Sequence, residues 1–174
     1  LNDEDITLTD TSLAVSLLNT LDDNTSGSID AATISTLSGS ATDLIDAYTS
    51  NGITGLNDED ITLTDTSLAV SLLNTLDGHT DGAIDAATIS TLSGSATDLI
   101  DAYTAHANGS ITGLNNEAVN VSSSTATTSQ ANTLAAATSG VVTATISDGD
   151  MATLAGLTET GNAYSRSEEH TSEL

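Results

Sequence analysis

LNDEDITLTDTSLAVSLLNTLD, residues 1–22, returns letter for letter at residues 56–77, and DAATISTLSGSATDLIDAYT, residues 30–49, returns at residues 85–104. The chain is therefore a tandem array, with one copy over 1–55, a second over 56–113 and a divergent third over 114–165. A period of this size marks supersecondary units that cannot bury an apolar face alone and do so against their neighbours.

Inside a copy, Ile6 and Leu8 alternate with Thr7 and Thr9, the signature of a short strand. Asp10, Thr11 and Ser12 then offer capping oxygens, and Leu13, Leu17 and Leu21 recur four apart beside Ala14 and Leu18. That spacing predicts a helix over 12–21. Residues 22–27 read as a loop and 28–34 as a second strand. Ser40-Ala-Thr-Asp43 is a capping pattern that opens a short helix with Leu44, Ile45 and Tyr48 on one side, and Asn51-Gly52 supplies a left-handed ending.

Strand, helix, strand, helix implies an α/β fold, a repeat solenoid of short parallel strands alternating with short helices. A β-helix, helical-pair repeats and a largely unfolded chain are the alternatives. The Asn or Cys ladder of leucine-rich repeats is missing from the pattern. In the third copy Val119 and Val121 replace Ile6 and Leu8, and Thr138-Ser139-Gly140 keeps Thr25-Ser26-Gly27. Gln130 and Ala131 stand where Leu17 and Leu18 stood, so this copy's first helix has the thinnest stripe and is expected to be the least stable part.

Composition narrows the class of function. Twenty-five acidic residues face a single Lys or Arg, a net charge of −24, which repels nucleic acid and anionic membranes and makes cations the natural partners. With 37% hydrophobic residues the chain is too apolar for acidic disorder. There is no cysteine, hence no disulfide framework or thiolate metal site. No apolar run reaches transmembrane length, so membrane insertion is not expected. The chain opens at a repeat boundary without an initiator Met and reads as an internal fragment of a longer protein. RSEEHTSEL, residues 166–174, breaks the composition abruptly, resembles the in-frame translation of a sequencing adapter, and is set apart from the fold as an artefactual tail.

The sharpest chemical pattern is the loop Asp22-Asp-Asn24-Thr-Ser26-Gly27-Ser-Ile29-Asp30, which resembles an EF-hand or dockerin-type calcium loop. Oxygen donors at Asp22, Asn24, Ser26 and Asp30 and the turn at Gly27 suit Ca²⁺. The second copy offers Asp77, Asp81 and Asp85 around Gly82 and Ile84, with His79 at the third position. Against calcium, the twelfth position, where a bidentate acid belongs, is Thr33 or Thr88. The third copy keeps only the turn and the first strand residue, so the loop also reads as an Asp/Asn/Gly turn that geometry alone demands.

Other polar groups read as structural. The acidic runs 2–5 and 57–60 read as solvated faces, His106 as an exposed loop histidine, and Tyr48, Tyr103 and Tyr164 as packed rings with surface hydroxyls. No phosphate-cradling loop, HExxH or nucleophile elbow is present, and without basic side chains there is no clamp for anionic substrates. Catalysis is not expected.

The span 1–165, with phrases such as Ile53-Thr-Gly-Leu56, Thr36-Leu-Ser-Gly-Ser-Ala41 and Gly140-Val-Val-Thr-Ala-Thr-Ile146, resembles the repeats of very long secreted or cell-surface proteins of marine cyanobacteria and other aquatic bacteria. The resemblance implies an extracellular structural or adhesive role, often calcium-associated, with the neighbouring repeats of the parent chain as partners. It carries no catalytic residue.

Overall fold

The computed structural model describes residues 3–158 and 161–167. The chain is built of rungs, each of one to three short strands followed by a helix. β1 (Ile6–Thr7) and β2 (Ser12–Ala14) lead into α1 (Val15–Asp23), and β3 (Ile29–Asp30) and β4 (Thr36–Gly39) into α2 (Ala41–Thr49). β5 (Ile53–Thr54), β6 (Asp60–Leu63) and β7 (Ser67–Ala69) precede α3 (Val70–Asp77). β8 (Ile84–Asp85) and β9 (Thr91–Gly94) precede α4 (Ala96–Asn108), and β10 (Ile111–Thr112) and β11 (Ala118–Val121) precede α5 (Thr128–Ala137). β12 (Val142–Ile146), the one-turn α6 (Met151–Leu154) and β13 (Ala163–Arg166) complete the described residues.

The architecture is α/β, with three open, parallel sheets among the described residues, ordered β1-β3-β5, β2-β4-β6-β8-β10 and β7-β9-β11-β12-β13. Parallel strands need a crossover, and the helices supply it. Each helix packs on the next, α1 on α2 through to α4 on α5. The register stacks like on like: Leu13 lies beside Leu37 and Leu37 beside Ile61, while Leu68 lies beside Leu92 and Leu92 beside Val119. The apolar columns merge into one core running from Val15 to Ile146 across both copy boundaries.

Identical sequence does not occupy identical columns. Ile6 and Leu13 lie in the first and second sheets, whereas their counterparts Ile61 and Leu68 lie in the second and third. Each copy thus sits one strand column to the side of the one before. The step is made at the copy's end, where β5 and β10 insert an extra strand before the next copy begins. Gly55 (φ 87°) and Gly113 (φ 85°) make the turn there in the left-handed region, and a Cβ on either would meet the backbone of Ala32 or Ala87.

Several expected boundaries differ. The helix expected over 12–21 gives up its first three residues to β2, because Leu13 pairs with Leu37; α1 starts at Val15 with Ala14 as an uncapped N-cap. The strand expected over 28–34 stops at Asp30, whose carboxyl accepts the Ala32 N–H (3.1 Å) and turns the chain, and a further strand, β4, follows. α2 starts as expected: Ser40 Oγ accepts the Asp43 N–H (3.2 Å) and donates to the Asp43 carboxyl (2.8 Å). It ends at Ser50 in extended conformation, not at a left-handed Gly52. In the third copy, Gln130 completes a capping box with Thr127, which accompanies the thinner apolar stripe of α5. Of the tail, Arg166 belongs to β13; residues 168–174 lie outside the described residues.

Candidate functional site

The calcium-like loop leaves α1 at Asn24, which caps the helix and donates its side-chain amide to the Thr20 carbonyl (2.6 Å). Asp22 turns towards the following rung and accepts the Ser50 hydroxyl (2.7 Å). Asp30 and its copy Asp85 cap their own turns through the Ala32 and Ala87 N–H groups (3.1 and 3.0 Å). Ser26 and Asp81 are exposed and Asp77 is half-buried, while the Asp81 backbone N–H reaches the Asn57 carbonyl (2.9 Å). Among the described residues no three His, Cys, Asp or Glu side chains gather where a metal ion could be held.

The conserved part of the loop has a different task. Thr25, Thr80 and Thr138 donate their hydroxyls to the carbonyls of Glu4, Glu59 and Glu117 (3.2, 2.8 and 2.8 Å). The same oxygens accept the N–H of Gly27, Gly82 and Gly140 (3.0, 3.0 and 2.9 Å). The glycine is required by closeness, since a Cβ at any of the three would strike that Glu carbonyl. Thr33 and Thr88, at the position where a calcium loop needs an acid, donate instead to the carbonyls of Leu8 and Asp10 and of Leu63 and Asp65. Threonine there is a backbone staple between rungs.

A second device spans the copy boundaries. Tyr48, at the end of α2, donates its hydroxyl to Glu59 Oε2 (2.8 Å), and Tyr103 in α4 donates to Glu117 Oε2 (3.0 Å). Both glutamates are fully buried. Their other oxygens accept backbone N–H groups, from Asn57 at 3.1 Å and from Asn115 and Asn116 at 2.8 and 3.2 Å. Burying a carboxyl without such donors is costly. Burial first, with the adjoining glutamate added, pushes both tyrosine hydroxyls well above their ordinary pKa. The Tyr48 ring also lies parallel to the His79 imidazole, 5.6 Å away, tying α2 to the loop after α3.

This corrects three sequence expectations. The run 57–60 is not wholly a solvated face, because Glu59 turns inward beneath Tyr48. The hydroxyls of Tyr48 and Tyr103 are engaged within the protein instead of lying at the surface; Tyr164, half-buried, also points its hydroxyl to the Ala131 carbonyl (3.4 Å). His106 belongs to the extended α4, where it is half-buried with Nδ1 3.0 Å from the Ile111 carbonyl. A signal for the buried acid was present: between 57–60 and 115–118 the aspartates change to Asn116 and Ala118, while the glutamate stays.

The helices carry a parallel set of ties. Asn19, Asn74 and Asn132 donate to the carbonyls of Asp43, Asp98 and Gly156 (2.9, 2.9 and 2.8 Å). Asp65 accepts the first N–H of α2 at Ala41 (2.8 Å), and Asp148 that of α5 at Thr128 (2.6 Å). Thr25, Thr33, Asn19 and their copies thus converge on the backbone of the adjoining rung. An apolar cavity of about 340 Å³ lies between Ile146, Met151, Leu154 and Tyr164, with Arg166 also in its lining. No helix among the described residues is long and apolar enough to cross a membrane. Comparison with protein-family profiles, curated proteins and solved structures returns no match.

Proposed function

We propose that the chain is a structural spacer or adhesin segment of a large extracellular or cell-surface protein, a repeat solenoid without catalysis whose length grows with the number of copies. One observation carries the reading: the same side chains at the same repeat positions tie each rung to the next, through Thr80 and Thr138, Asn74 and Asn132, and Tyr48 and Tyr103. A chain whose distinctive polar groups serve inter-rung contacts is suited to holding a distance. Nearest-neighbour stacking is how repeat arrays accumulate stability and reach. The acidic surface favours solubility at high ionic strength and fits an exported protein in a saline medium.

Small-angle scattering on chains carrying two, three and four copies of residues 1–55 tests it. Each copy adds about two strand spacings of roughly 4.8 Å, so the maximum dimension should grow by about 10 Å per copy at constant cross-section. A dimension that rises only as the cube root of mass would refute a stalk.

A further inference from the structure

We infer that the outer face of the first rung, formed by β1, β2 and α1, is a docking surface for another copy of the repeat, which presents to it a strand–helix unit of the β4–α2 type. This rests on the spacer reading and names its interface. The chain contains its own control, because residues 1–22 and 56–77 are identical and differ only in what lies next to them. Leu17 is 61% exposed, whereas its copy Leu72 packs against the core. Leu13 and Leu21 are half-buried, whereas Leu68 and Leu76 are 5% and 0% exposed. With the sequence held constant, the covering rung accounts for the difference.

What covers the second copy is specific. Ile6 has a strand neighbour on one side, Ile29, while Ile61 lies between Leu37 and Ile84. Among the described residues α1 packs on α2, while α3 packs on both α2 and α4. The backbone N–H groups of Asp60 and Thr64 donate to the carbonyls of Ser35 and Gly39, 3.0 Å each, acceptors that the preceding rung supplies to the second copy. A general hydrophobic partner would cover the leucines but would not bring edge carbonyls in that register, nor a tyrosine placed like Tyr48 over Glu59. The second half of a repeat brings all three.

The test compares the present chain with one in which residues 1–55 are added, in repeat phase, ahead of Leu1. Amide exchange at Asp5 and Thr9 of the original copy should slow by at least about tenfold, approaching that of their counterparts Asp60 and Thr64. Leu17→Asp should leave the melting of the present chain unchanged and lower that of the extended chain, and Leu72→Asp should lower that of the present one. Unchanged exchange at these two amides, or a Leu17→Asp substitution equally silent in both chains, overturns the docking face. Scattering on the same extended chain separates the two readings: added length with unchanged exchange removes the interface and leaves the spacer. Slowed exchange without added length does the reverse.

Discussion

Thr128 opens α5 at the position that Val15 and Val70 hold in the other copies, and its hydroxyl is a buried polar atom without a hydrogen-bond partner. A threonine there has the shape of valine and the desolvation cost of an alcohol. Thr128→Val should therefore stabilise the protein by about 1 kcal/mol, read as a rise in thermal midpoint by circular dichroism. The glycines give a sharper contrast. A Cβ at Gly82 strikes the Glu59 backbone, which cannot yield without opening the Thr80 clasp, whereas a Cβ at Gly149 meets nothing within 4 Å. Gly82→Ala should cost at least about 2 kcal/mol and Gly149→Ala should stay within about 0.5 kcal/mol of the parent in denaturant titrations. Equal effects would mean that the clasp contributes nothing to the fold.

The strands and helices show why some of this was readable and some not. α2 was legible because Ser40 and Asp43 form a local cap, and caps are decided by residues three apart. β2 was not, because Leu13-x-x-x-Leu17 has helical spacing and only pairing with Leu37, far along the chain, makes the segment extended. The calcium-like loop matched a ligand rhythm whose oxygens serve as turn caps and rung staples, functions that use the same residue types. Helices α2 and α4, through Tyr48 and Tyr103, also carry a pH response. Tyr48 and Tyr103 hold folded-state pKa values above the unfolded value of about 10. The unfolded chain then releases these protons first as pH rises, so their contribution is whole below about pH 10 and is lost above it. Replacing both by Phe should cost about 1–2 kcal/mol at pH 7, because a donor to each buried glutamate is lost, and should flatten the fall in stability between pH 10 and 12. Parallel alkaline curves for parent and double variant would show that the hydroxyls are not held as described.

Across the stack, each copy is displaced by one strand column while the helices stay in contact, so a copy's faces are completed only by its neighbours. This is why the duplicated sequence revealed the architecture but not the lateral step, which depends on where β5 and β10 send the chain. A charge of −24 with one basic residue adds a repulsion that no internal ion pair offsets on this scale. Raising NaCl from 0.01 to 1 M shortens the screening length from about 30 to about 3 Å, so the thermal midpoint should climb steadily with salt. The same reasoning fixes the fate of a single copy. Cutting after Gly55 removes Ile61 from beside Leu37, α3 from beside α2 and Glu59 from beneath Tyr48, leaving two helical rungs each with one open side. Residues 1–55 alone should therefore give no cooperative thermal transition in dilute buffer, whereas residues 1–113 should melt in a single step. A cooperative melt of the lone copy would mean that each repeat folds for itself, and that contacts across the boundary follow folding instead of creating it.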